Sequence, residues 1–235
     1  MIAPPDGLLY RDAHYFAVDV EVDAERASRW VPRPLRLSLP AIGTLFTAYF
    51  PECSFGSVYR EAGVFLHVEH RRTRAVHCPW MMVDDDVALI LGRELLGYPK
   101  KLGDISFSLE GERIVTRASR RGTTLLAMRG TLGARLDGAP PFLGRPHRNV
   151  RSAIGLAIPW LVAFTPDERA REVRRVDDFE LRVSGSARDP LHELGVGRVL
   201  HARLHRVDVG RGTPPRPVGI VSPRAHLERL LVRVR

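Results

Sequence analysis

The chain has 235 residues, 44% of them hydrophobic and 27% charged, with a formal net charge of +9. No apolar run reaches the roughly 18 residues a membrane span needs, and neither a repeat nor a long linker divides the chain, so one domain over residues 1–235 is expected. The charge raises nucleic-acid binding, but the arginines are spread along the whole chain, with only modest clusters at Arg71-Arg72-Thr73-Arg74 and from Arg171 to Arg175. No recognisable binding module accompanies them, so neither nucleic acid nor membrane is an expected partner. Cys53 and Cys78 form no CxxC pair and read as reduced, buried thiols. The first residues lack the basic and apolar regions of a signal peptide, and a cytoplasmic location is expected.

Taken in order, His14 to Val22 alternates, with Phe16, Val18, Val20 and Val22 on one face, and predicts a strand. Asp23 caps a short helix, Ala24 to Val31, that Pro32 ends. Thr44–Phe50, Val64–His70 and Ala75–Val83 read as strands. Asp84, Asp85 and Asp86 precede Val87-Ala88-Leu89-Ile90-Leu91 as capping and first-turn acids precede a helix, which Gly97 and Pro99 stop. Ile105–Glu110, Arg113–Ala118 and Thr123–Leu132, with turns at Gly111 and Gly122, predict an antiparallel meander. Arg135 to Asn149 reads as a Gly- and Pro-rich loop. Asn149 to Phe164 is apolar but interrupted by Pro159, and its type stays open. Phe179–Ser184 and Val199–Val209 read as strands, Asp189–Leu194 as a helical turn, Pro214, Pro215 and Pro217 as loop, and Arg224–Val232 as a closing helix. Many short strands with few helices argue α+β, mainly antiparallel β, as a barrel or packed sheet.

Of the 36 basic residues only two are lysine, Lys100 and Lys101, adjacent after Pro99. With arginine used nearly everywhere that positive charge suffices, two surviving lysines suggest a task arginine cannot perform. Arginine stays protonated, whereas lysine can be tuned to a neutral, nucleophilic amine. The alternative is chance and two surface charges. The lysines fall on a short connector between helix and strand, where a scaffold can present a reactive group. An unperturbed lysine, pKa about 10.4, is neutral in only about one molecule in 2,500 at pH 7. A second ammonium about 4 Å away would contribute about 4 kcal/mol toward neutrality, falling to roughly 2 at about 9 Å. Successive residues of an extended segment diverge, so desolvation in an apolar pocket is the larger expected contribution. His201 and His205, four apart in a strand pattern, read as surface histidines rather than metal ligands. Trp80, Met81 and Met82 read as core or pocket lining.

The run from Gly92 to Gly103, Gly-Arg-Glu-Leu-Leu-Gly-Tyr-Pro-Lys-Lys-Leu-Gly, resembles the signature of the acetoacetate decarboxylase family: Gly-Arg-Glu, a spacer, Tyr or Phe, then Pro-Lys-Lys-Leu. Tyr59-Arg60-Glu61-Ala62-Gly63 is similar to its Tyr-x-Glu-x-Gly segment. Val31-Pro32-Arg33-Pro34-Leu35 resembles its Val-Pro-Glu-Pro-Leu, and Arg145-Pro146 through Ile158-Pro159 a later stretch. The resemblance implies a cone-shaped β-barrel with flanking sheet and a few short helices, assembled into homo-oligomers. It makes Lys100 the Schiff-base nucleophile, Lys101 its neighbour and Glu61 the pocket acid, acting on a small keto acid without a cofactor. Acetoacetate decarboxylase is itself the standard example of a lysine activated by desolvation or a neighbouring cation. The family's Arg-Glu-Tyr-Phe segment appears here as Ala13-His14-Tyr15-Phe16, so the substrate-binding arginine is missing from its position. Arg11, on the same side as Ala13 by alternation, is the expected stand-in. The family's second glutamate should fall between Leu45 and Tyr49, where there is none, and Glu52 is the nearest. Decarboxylation of a β-keto acid is the leading expectation. Aldol or dehydration chemistry on pyruvate-type acids and a non-catalytic binding role are the alternatives.

Overall fold

A computed structural model describes residues 7–153 and 158–234. Its strands are β1 (Leu8–Val22), β2 (Arg36–Leu37), β3 (Ile42–Phe50), β4 (Glu52–Cys53), β5 (Tyr59–His70), β6 (Thr73–Val83), β7 (Lys100–Leu102), β8 (Asp104–Glu110), β9 (Arg113–Arg120), β10 (Thr123–Arg135), β11 (His147–Ala153), β12 (Ile158–Val183) and β13 (Val196–Ile220). The helices are α1 (Ala24–Ser28), α2 (Asp86–Leu96) and α3 (Pro223–Val234), with a 3₁₀ turn at Leu191–Leu194. The strands form one sheet. In it β11, β6, β5, β3, β1, β13 and β12 follow one another, and β11 pairs again with β12, closing a ring. The far half of β12 continues into β10, β9 and β8, the antiparallel meander the sequence predicts, as a flanking sheet.

Alternation along β1 separates two cores. Phe16, Val18 and Val20 face a cluster that includes Ile105, Ile114 and Leu125 of the meander. Ala13, Tyr15 and Ala17 face the other way, among Phe46, Phe65, Phe142 and Phe164 inside the ring. Burial of each large apolar side chain contributes roughly 1.5–3 kcal/mol. The two faces therefore fix the β1 register firmly, since a one-residue slip would exchange them.

Several elements differ from the expectations. The first helix stops at Ser28, short of Val31, although Asp23 caps it as read, accepting from the Arg26 backbone N–H at 2.9 Å. The open stretch 149–164 is the pairing of β11 with β12, with residues 154–157 outside the described part. Phe179–Ser184 is only the end of β12, and Val199–Val209 only the middle of β13. Pro214, Pro215 and Pro217 lie within β13 rather than in a loop. Beyond Gly210 that strand has left β1 and pairs only with β12, so it is an edge there, and prolines are tolerated where no ladder donor is needed. No described helix is long and apolar enough to cross a membrane.

Candidate active site

The two lysines are not on an irregular connector. They open β7, a three-residue strand that pairs parallel to β6, Met81 opposite Lys100 and Met82 opposite Lys101. Helix α2 leads into it. Its N-cap is Asp85, whose carboxylate accepts from the Ala88 N–H at 2.7 Å. Gly97 closes it in the left-handed conformation at φ 68°, where its N–H reaches the Arg93 carbonyl. Because β7 is extended, its neighbours point apart.

Lys100 turns into the ring. It is 5% exposed, its Nζ is ion-paired with Glu61 (6% exposed), and it lies 5.5 Å from the Tyr59 ring centroid. Glu61 comes from β5, which joins β6 and β3 side by side. Lys100 also crosses α2 at Gly92. A Cβ there would stand 2.5 Å from Lys100 Cε and 2.8 Å from Cδ, so any side chain at this position would displace the end of Lys100.

Lys101 turns out of the ring. Its Nζ donates to Asp189 at 2.7 Å and to the Arg188 carbonyl at 3.0 Å. Asp189 also accepts from Arg120 at 2.9 Å and from the Trp80 indole at 3.1 Å. Burial alone would push the Asp189 carboxyl up, but the hydrogen bonds and charge of Lys101, with Trp80 and Arg120, hold it below the usual carboxylate range. The Lys101 charge is therefore balanced by its own carboxylate, and it faces away from Lys100.

Lys100 and Glu61 line a cavity of about 460 Å³. Aromatic side chains dominate its wall, among them Tyr10, Tyr15, Phe46, Phe50, Phe55, Tyr59 and Phe65, with Phe50 stacked on Tyr59 at 4.3 Å. Burial first, and the nearby Glu61 second, push the phenols of Tyr10, Tyr15 and Tyr59 up, so they stay neutral hydroxyls. Burial, reinforced by Glu61, pushes the Cys53 thiol up to about 12, which leaves it unreactive. Arg151 and Arg211 are the other charged residues on the wall, both more accessible than the Lys100–Glu61 pair. The arrangement is one amine facing one carboxyl on a largely apolar wall.

The model of the family described as "Acetoacetate decarboxylase (ADC)" matches residues 1–215. The chain belongs to the acetoacetate decarboxylase family. Among curated relatives, "Acetoacetate decarboxylase 3" of Mesorhizobium japonicum is 30% identical over 130 residues, covering 55% of this chain and 50% of that protein. "Acetoacetate decarboxylase" of Clostridium botulinum is 27% identical over 106 residues, 45% of this chain and 43% of that one. The chain thus spans about half the length, or less, of these relatives. The fold similarity is wider. A solved acetoacetate decarboxylase aligns with TM-score 0.83 at 20% identity, covering 92% of this chain and 91% of that one. The enduracididine biosynthesis enzyme MppR, solved with pyruvate, aligns with TM-score 0.79 at 20% identity, covering 93% and 92%.

Inside the ring, Ala13 stands where the sequence resemblance implies an arginine, and the stretch from Leu45 to Tyr49 carries no carboxylate. Ala13 is fully buried inside the ring, and Ala48 is fully buried directly opposite Glu61 on β3. Arg11 does not stand in. It pairs with Glu52 at 3.0 Å on the outside, and neither residue lines the cavity. The physical reason is a bulge: Tyr10 pairs with Val209 but Ala13 with Val207, three residues against two, with Asp12 at φ 48°. The extra residue reverses alternation, so Tyr10 rather than Arg11 shares the face of Ala13. The sequence reading also missed Gly92, Tyr59 and Asp189. Gly92 and Tyr59 sit inside the quoted motifs, so their signal was present. Asp189 is 88 residues from Lys101 and gave none.

Proposed function

We propose that this protein forms a Schiff base through Lys100 with a small keto acid and catalyses carbon–carbon bond cleavage, with decarboxylation of a β-keto acid as the leading reaction. The observation that supports this reading is the buried Lys100–Glu61 pair at the apolar cavity wall. Transfer of one proton within the pair gives a neutral amine and a carboxylic acid, which are the nucleophile and the acid the chemistry needs. The amine adds to the ketone and loses water to give an iminium ion. The bond to the carboxylate then breaks. Its electron pair moves into the iminium, CO₂ departs and an enamine remains. A proton delivered to the enamine carbon, from Glu61 directly or through water, restores the iminium, and hydrolysis releases the ketone and frees Lys100. The surrounding aromatic wall disfavours charge, so the step that turns a carboxylate into neutral CO₂ is assisted by the chamber.

A second reading has specific support. Ala13 stands where the sequence resemblance implies an arginine, no carboxylate occurs from Leu45 to Tyr49, and the structurally similar MppR was solved with pyruvate. The same iminium on a pyruvate-type acid would lose a C–H proton to Glu61 and attack an aldehyde. Reductive trapping tests both readings. The protein is incubated with acetoacetate or with pyruvate, reduced with borohydride, and mapped by peptide mass. An adduct on Lys100 that disappears in Lys100→Arg is expected, and released CO₂ separates decarboxylation from condensation. No adduct with either acid on folded protein, at neutral to mildly alkaline pH, would shift the reading to a binding protein.

A further inference from the structure

A second cavity, of about 290 Å³, lies on the other side of Phe142 from the candidate active site. The Phe142 ring packs on Tyr15 at 4.7 Å and on Phe46 at 5.1 Å, which line the first cavity, and on His205 at 5.8 Å, which lines the second. Neighbouring ring strands supply polar side chains to it: His67 from β5, Thr44 from β3, Asp19 from β1, and Arg203 and His205 from β13. The segment carrying Pro140, Pro141 and Arg145 closes it.

Its polar groups are not balanced among themselves. Arg145 donates to the Phe142 carbonyl at 2.8 Å and meets the His67 ring at 3.2 Å, with no carboxylate in contact among the described residues. Glu168, the carboxylate of that loop, instead accepts from the backbone N–H groups of Phe142, Leu143 and Gly144. Arg203 reaches Asp19 at 3.4 Å, and Asp19 also accepts from Thr44 at 2.6 Å. Two arginines therefore share the lining with one carboxylate, Asp19, while Glu168 acts on Arg145 at longer range. His205 is 3% exposed and its Nδ1 has no hydrogen-bond partner among the described residues, which is costly for a buried polar atom. Burial first, then Arg203 and Arg145, push this ring down to about 4, so at neutral pH it is uncharged and one nitrogen donates. His67 is shifted the same way, by burial and then by Arg145. Two guanidinium groups, one of them with no carboxylate in direct contact among the described residues, beside a neutral imidazole suit an oxyanion.

We propose that this cavity binds a small oxyanion, a phosphate or a carboxylate, through Arg145 and Arg203, with the neutral His205 ring on its wall. At about 30 Å³ per water, the space holds about ten waters and easily admits either group. The site is separate from the Lys100 pocket and does not depend on the reaction proposed there.

The test is calorimetric titration of the full chain at low ionic strength, with inorganic phosphate in one arm and malonate in the other. One saturable site per chain is expected. Arg145→Met and Arg203→Met should each weaken it about tenfold or more, the size of losing one charge-assisted hydrogen bond. Arg71→Ser, on an exposed turn, should leave it unchanged. The arm that binds more tightly identifies the source of the ligand. Absence of saturable binding in both arms, or equal weakening by Arg71→Ser, would overturn the proposal, because the protein's net positive charge alone would then explain any anion uptake. If Arg145→Met does not fold, as judged by circular dichroism, Arg203→Met and the phosphate-dependent rise in melting temperature of the unmodified chain carry the test.

Discussion

Lys100 passes α2 where residue 92 has no side chain. Gly92→Ala should improve the helix itself by about 1 kcal/mol while driving a methyl against Lys100 Cε and Cδ. A displaced amine loses attack geometry, and about 1 Å can cost about 100-fold. Gly92→Ala is therefore expected to keep its circular dichroism spectrum and melting temperature but to trap keto acid with borohydride about 100-fold more slowly. Normal trapping would show that Lys100 finds another path. Lys101 predicts the opposite pattern. Lys101→Met leaves Asp189 buried with Arg120 and Trp80 but without its closest cation, and breaking such a pair costs about 3 kcal/mol. A lower urea midpoint with Lys100 trapping intact is expected, whereas lost trapping at full stability would assign Lys101 to the chemistry. Motif and composition both pointed to Lys100, the motif alone pointed to Glu61, and the structure pairs the two side chains. Arg11 was misread because alternation presumes a regular strand, and a single residue, Asp12 at φ 48°, inverts it.

The α2–Gly97–β7 unit sets where both lysines point. Gly97 has a positive φ, and a Cβ on it would lie 2.9 Å from the Val150 carbonyl carbon and oxygen of β11. Gly97→Ala is expected to destabilise by about 1–3 kcal/mol from backbone strain and contact together, measured as a shift in urea midpoint. An unchanged midpoint would mean that the α2–β11 contact is soft. At this scale β6, the meander β8 to β10 and the second half of β5, from Val64, were readable from sequence. β12 and β13 were readable only in part. The middle of β12 carries Arg169, Arg171, Arg174 and Arg175, and the far end of β13 carries Pro214, Pro215 and Pro217, and both signals ordinarily mark surface loops. The long strands persist because each is shared between the ring and the flanking sheet or edge, so tertiary pairing outweighs local preference.

At the scale of the whole molecule, two of the described imidazoles, His147 and His205, are pushed furthest toward the neutral form. His147 is fully buried where β11 meets β6. It stacks on Phe164 at 5.0 Å, is bonded to the Leu143 carbonyl at 3.1 Å and is pushed down to about 3, chiefly by burial. His205 is pushed down to about 4. Their folded pKa values lie below the unfolded value near 6.5. The unfolded chain therefore binds more protons between these limits. The stability they protect is complete above about pH 6.5 and declines as pH falls toward 4, by about 1.4 kcal/mol per unit for each ring while both folded forms stay neutral. Urea midpoints measured from pH 7 to pH 4.5 should fall steeply. The slope should lessen in His147→Phe if that variant folds, or in His205→Phe, whose wall position at Phe142 admits a second ring. A flat profile in the unmodified chain would contradict the buried, neutral assignment.

The ring has a temporal consequence. β1 lies between β3 and β13, with Leu8 opposite Gly210 and Val22 opposite Val196. The neighbour on one side follows within a few dozen residues, but the other is among the last strands made. During synthesis at roughly 5–20 residues per second, β1 waits on the order of ten seconds or longer with one edge unpaired. That edge carries the same extended backbone groups that attract other strands. A growing chain of this fold is accordingly most vulnerable to wrong pairing in the interval before β13 emerges, and its yield in a cell depends on what shields β1 until then.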